Sequence, residues 1–150
     1  MDTVRVRYAG NRQFVGWDSH GHGLVMDAPS GSKGEGTGPR PVELVLYALA
    51  ACTAMDVVSV LEKKRMPVSS LEIVVNGTQR EDDYPHYYED VDVTYVVSGP
   101  GVTEAALARA IELSEDKYCS VKGMFGPQVR VTTQFRVVDD APAVAETAAE

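Results

Sequence analysis

Along the first 27 residues, apolar and polar side chains change places every one or two positions. Val4, Val6 and Tyr8 fall on one side and Thr3, Arg5 and Arg7 on the other, the period of a half-buried strand. Gly10-Asn11 reads as a tight turn. A second strand follows at Gln13 to Trp17, and the glycine-rich turn Ser19 to Gly23 leads to a third at Leu24 to Asp27. The pattern predicts an antiparallel meander. From Ala28 to Arg40 the periodicity vanishes among glycines, which predicts a mobile surface loop.

The pattern then becomes continuously apolar. Between Leu44 and Leu61 the polar side chains are Thr53, Asp56 and Ser59, apart from Tyr47 and the thiol of Cys52. A helix over Pro41 to Lys64 is therefore apolar around nearly its whole circumference and belongs in a core. Pro39 and Pro41 bracket its start. At its end, Lys63, Lys64 and Arg65 sit at the negative end of the macrodipole and Pro67 stops it.

Alternation returns at Leu71 to Asn76 and at Val91 to Ser98, two further strands joined through the acidic, then aromatic, Arg80 to Tyr88. After Gly99-Pro100-Gly101, Thr103 is placed to cap a helix. There Leu107, Ala110, Ile111, Ser114 and Tyr118 recur at helical spacing and deliver Cys119. A last strand alternates over Val129 to Val137. Runs of antiparallel strands separated by two helices predict an α+β fold. Six strands and one other helix give thin cover for so apolar a helix, so a second copy is expected to complete the core. We expect one domain over residues 1–138 and a disordered acidic, alanine-rich tail over 139–150.

Composition narrows the class. With 44% hydrophobic and 24% charged residues in a chain of 150, one soluble globular domain is expected. The net charge of -8 and the lack of a basic stripe argue against nucleic acid as a partner. The start of the chain lacks the pattern of a secretory signal, and Asp56 inside the apolar helix argues against a membrane span. A cytoplasmic protein is expected, and there Cys52 and Cys119, the two cysteines of the chain, should be free or redox-active.

A free cysteine in a core helix is most often an inert small hydrophobe. A nucleophilic one needs its thiolate, and Asp56, one turn after Cys52, is a like charge that such chemistry must find turned away or paired. An activating cation would come from Arg12, Lys33, Arg40 or Lys122. His20-Gly21-His22 offers two metal ligands without an obvious third, so no metal site is expected. The glycines of residues 31–38 lack the Gly-Lys-Ser/Thr of a phosphate loop, and no cofactor is expected.

The segment GPRPVELVLYALAACTAMDVVSVLEKK, followed by LSEDKYCSV before a terminal strand, resembles the OsmC/Ohr family of thiol-dependent hydroperoxide reductases, and most closely its YhfA-like branch. The resemblance runs from Val4 to Val138. It implies an OsmC-like fold, an intertwined homodimer with sheets wrapped around long central helices and active sites at the subunit interface. It also implies that Cys52 attacks a hydroperoxide and becomes a sulfenic acid, that Cys119 resolves it to a disulfide, and that an external dithiol reduces the disulfide. In the family's peroxidases a glutamate directly after the helix-opening proline pairs with an arginine. Here Val42 follows Pro41, and Glu43 lies one position later, about 100° around the helix. Arg12 falls in the region of that arginine, and Arg40, Glu43 and Asp56 are the other candidate supporting residues. Two alternatives stand beside the peroxidase: a non-catalytic member binding a small apolar ligand at the dimer interface, and a redox-sensing or disulfide-exchange protein.

Overall fold

A computed structural model of the chain describes residues 1–139; of the tail expected over 139–150, all but its first residue lies outside the described residues. The chain forms two compact units, the first Met1–Val45 and the second from Leu46 onward.

The first unit contains the meander expected from the alternation. Strands β1 (Val4–Gly10), β2 (Gln13–Asp18) and β3 (Gly23–Met26) form one antiparallel sheet in the order β1-β2-β3. Asn11 and Arg12, both at positive φ, make the two-residue turn whose twist matches that of the flanking strands. On β1 the side chains of Val4, Val6 and Tyr8 are all exposed.

The loop after β3 departs from the mobile segment expected from its glycines. Asp27 is 1% exposed, and its carboxylate accepts the N–H of Ala28 at 2.7 Å, Glu35 at 3.2 Å and Thr37 at 3.0 Å, and the hydroxyl of Thr37 at 2.8 Å. The β1–β2 turn is stitched to the same loop: the Arg12 guanidinium donates to the Ser32 carbonyl at 2.6 Å, Asn11 to Glu35, and Gln13 to Thr37. A Cβ on Gly34 would sit 1.9 Å from the Ala28 carbonyl oxygen. The glycines here permit close backbone approach around one buried carboxylate rather than looseness.

Helix α1 (Glu43–Lys63) opens on a capping box, in which the Glu43 carboxylate accepts the Arg40 N–H at 2.8 Å. Its end is a Schellman motif with Arg65 at φ 60: the Arg65 N–H donates to the Glu62 carbonyl at 2.8 Å and the Met66 N–H to the Leu61 carbonyl at 3.0 Å. The stop is thus set one residue before the expected influence of Pro67. Within the chain α1 buries a single stripe, Leu49, Thr53, Val57 and Leu61, while Val45, Tyr47 and Met55 are exposed. The fully buried helix expected from composition is not what one chain provides.

The second sheet is β4 (Ser70–Gln79), β5 (Tyr88–Ser98) and β6 (Arg130–Val137), in the order β4-β5-β6. β4 and β5 are antiparallel, but β5 and β6 are parallel, a correction to the antiparallel sheets expected. The cause is the connection: helix α2 (Glu104–Leu113) intervenes between β5 and β6, and a helical crossover returns the chain in the same direction. Val91, Val93, Tyr95 and Val97 of β5, with Leu107, Ala110 and Ile111 of α2, are buried, each of the Val, Leu and Ile side chains contributing roughly 1.5–3 kcal/mol. Thr103 caps α2 by accepting the Ala106 N–H. The α-helix does not run to Tyr118; at Ser114–Tyr118 it widens into one π turn, closed by the Cys119 N–H on the Ser114 carbonyl at 2.8 Å. Ser114, which opens the turn, stays on the buried face of the helix, while the wider turn shifts the register after it and Tyr118 is 47% exposed.

Candidate active site

Cys52 and Asp56, four residues apart on α1, share one face of the helix. Cys119 follows the π turn and is buried, and Cys52 is half-buried. The Sγ atoms of Cys52 and Cys119 and a carboxylate oxygen of Asp56 all lie within 4.8 Å of one another, and both thiols are free. Among the described residues these three donor atoms are one short of a closed structural zinc site; the two free thiols are what the cluster offers for thiol chemistry. His20 and His22 are outside it: Asp18 accepts the N–H of both, and the His22 ring meets the same carboxylate at 2.8 Å.

A chain of hydroxyls supports Asp56. Ser114 Oγ donates to Asp56 Oδ2 at 2.8 Å. Having one proton to give, Ser114 accepts from Thr53 Oγ1 at 3.0 Å, which accepts in turn from the Tyr95 hydroxyl at 2.8 Å. Burial pushes the Tyr95 phenol up to about 12, against the opposing bond with Thr53, so it remains a donor at neutral pH. Burial likewise pushes the Cys119 thiol up; the Lys122 N–H, 3.4 Å from its sulfur, pulls the other way, and the neighbouring Cys52 adds to the rise. A small pocket reaches Cys119, with Leu49, Val93 and Val131 as its apolar walls and Thr53, Tyr95, Glu115 and Lys122 as its polar ones. Lys122 Nζ pairs with Glu115 at 3.3 Å, and Glu115 also accepts from Thr133.

Of the residues singled out from sequence, Cys52, Asp56 and Cys119 converge, and Lys122 lies beside Cys119. Arg40 and Glu43 pair with each other at 2.9 Å, and the Arg40 N–H followed by its guanidinium holds the Glu43 carboxyl below the usual range. Arg12 serves the loop carbonyl of Ser32, and Lys33 holds a left-handed position after a short 3-10 turn. Thr53, Tyr95, Ser114 and Glu115 were not singled out. Ser114 left a signal, a polar residue at a buried helical position.

Comparison with known proteins bears on this arrangement. The family model described as OsmC-like protein matches residues 34–134. The chain is 37% identical over 135 residues to protein YhfA of Escherichia coli K12, covering 90% of this chain and 97% of that one. The crystal structure of a hypothetical protein from Aquifex aeolicus VF5 is similar with a TM-score of 0.81 and 30% identity, covering 94% of this chain and 98% of that one. The organic hydroperoxide resistance protein OhrB of Bacillus subtilis shares the fold, at a TM-score of 0.59 and 17% identity, over 92% of this chain and 98% of that one. With a family model spanning most of the chain and a relative above a third identical over nearly all of it, the chain belongs to the OsmC-like protein family.

Proposed function

We propose that this protein is a thiol-dependent hydroperoxide reductase of oxidative stress defence, with Cys52 as the peroxidatic and Cys119 as the resolving cysteine. The observation that carries the reading is the approach of two free thiol sulfurs to within 4.8 Å. A disulfide needs them at about 2.05 Å, so the two sulfurs have to close further as the bond forms. The difference in burial supports the order of events: Cys52 is the more open sulfur, and Cys119 is buried with its thiol pushed up. The Cys52 thiolate attacks the O–O bond, an S–O bond forms, and the alcohol leaves after taking a proton. Cys119 then attacks the sulfenic acid, water leaves, and an external dithiol reduces the disulfide. That OhrB of Bacillus subtilis, which shares the fold, is an organic hydroperoxide resistance protein fits the same chemistry.

The working form in this reading is a cytoplasmic homodimer, each chain contributing one domain over residues 1–138. The exposed apolar side chains of α1, Tyr47 and Met55 at 65% and 71%, support it, because α1 has the length and composition of a membrane span yet commits Thr53 and Asp56 to polar partners. A second copy is the cover this face calls for.

Mixing reduced protein with cumene hydroperoxide, then counting thiols and locating disulfides by mass, tests the reaction. Peroxide consumption with a Cys52–Cys119 bond is expected, Cys52→Ser abolishes it, and unchanged thiols over many equivalents would overturn the reading.

A further inference from the structure

Asp56 has no part in the scheme above, yet it stands beside both reacting sulfurs. Its oxygen is within 4.8 Å of Cys52 Sγ and of Cys119 Sγ. It shares a helix face with Cys52, and its orientation is set by a fully buried donor, Ser114. The hydroxyl chain Tyr95–Thr53–Ser114 ends on it, so every proton in that chain points toward the carboxylate and none is taken from it. Asp56 is the terminal acceptor, with lone pairs left over to face the thiols.

The resolving step needs such a group. The attacking form of Cys119 is its thiolate, and the buried thiol must lose its proton as it attacks. The departing hydroxyl on Cys52 must gain one to leave as water. Among the neighbours, Glu115 is held by Lys122 and Thr133, and the Lys122 N–H is a donor to Cys119 rather than an acceptor.

Resting on the peroxidase reading, we propose that Asp56 is the catalytic acid–base residue of the resolving step. It takes the proton from Cys119 Sγ as the S–S bond forms, and returns it to the hydroxyl as the S–O bond of Cys52 breaks. The balance closes: a sulfenic acid and a thiol become a disulfide and water, and the carboxylate is regenerated.

The test separates the two steps. Reduced wild type and Asp56→Asn, which keeps an acceptor for Ser114, are mixed with one equivalent of cumene hydroperoxide. Samples quenched at intervals with dimedone are resolved by mass. The variant should carry Cys52 as trappable sulfenic acid while its disulfide forms from that sulfenic acid roughly 100-fold more slowly than in the wild type, the range of general acid–base catalysis. Disulfide formation at the wild-type rate in the variant would overturn the role of Asp56 and leave the peroxidase reading standing. A wild type that forms neither sulfenic acid nor disulfide would overturn the peroxidase reading itself. If Asp56→Asn fails to fold by circular dichroism, the solvent deuterium isotope effect on the wild-type disulfide step decides: a value above unity confined to that step supports the proposal, and unity overturns it.

Discussion

Ser114, on the first residue of the π turn, donates its hydroxyl to Asp56 on α1 across 2.8 Å. That single bond ties the element carrying Cys119 to the element carrying Cys52. It fixes the direction of the Tyr95–Thr53–Ser114 chain and with it the face that Asp56 turns to the sulfurs.

Removing the bond should be felt in stability. Ser114 is fully buried, and Ser114→Ala takes the acceptor from the Thr53 proton, leaving Thr53 its bond to Tyr95, and takes the donor from one Asp56 oxygen. A loss of about 1–3 kcal/mol is expected, the cost of stranding buried polar groups. Urea unfolding at neutral pH reads it as a lower midpoint with unchanged slope. An unchanged midpoint would mean that the network contributes nothing net.

At alkaline pH the same site predicts a decline. The Cys119 thiol is raised in the folded state, chiefly by burial, and the Tyr95 phenol is raised to about 12. A raised group favours its protonated form in the fold, so its stabilisation is complete below the unfolded-state value and is lost as pH climbs through the folded one. Loss should begin above roughly pH 8.5 from Cys119 and deepen above about pH 10 from Tyr95. Urea midpoints of reduced protein across this range should fall, and Cys119→Ser should delay the onset. A flat profile in the wild type would contradict both assignments.

Acid should act elsewhere. The Asp27 carboxyl lies below the usual range because of the hydrogen bond from the Thr37 N–H first, with the Thr37 hydroxyl and the Ala28 and Glu35 N–H groups acting in the same direction against burial. A depressed carboxyl stabilises the fold above its unfolded value, about 3.9, and this is lost as pH falls through the folded one. Amide exchange at Glu35 and Thr37 should stay slow above about pH 4 and lose protection below it. Asp27→Asn should show fast exchange at those amides at every pH, whereas retained protection would show that the loop holds without the charge.

Much of this architecture was legible in the chain. Alternation at Val4, Val6 and Tyr8 and at Val91, Val93, Tyr95 and Val97 located the strands; on β5 the apolar face is the buried one, whereas on β1 it is exposed. Thr103 and the glycine break located the start of α2. The parallel pairing of β5 with β6 was not legible, since alternation reports which face is buried and not which way a neighbour runs. The order in the loop of residues 28–40 was hidden too, because glycine marks both floppy and tightly packed backbone, and a single buried Asp27 decides between them.

For the site, the chain by itself determined which residues carry chemistry: two cysteines, one on an apolar helix with an acid one turn away. That follows from residue type and helical spacing alone. Only the tertiary structure decided that Cys119 meets Cys52 and Asp56, since they are far apart along the chain and are brought together by the packing of α1 and the π turn. Ser114 keeps the buried face of the 3.6-residue period, but the wider turn after it changes the register at which Cys119 follows, which that period cannot express. The hydroxyl chain through Thr53 and Tyr95 is likewise a property of contact across elements, because the direction of a hydrogen bond depends on which acceptor closes it.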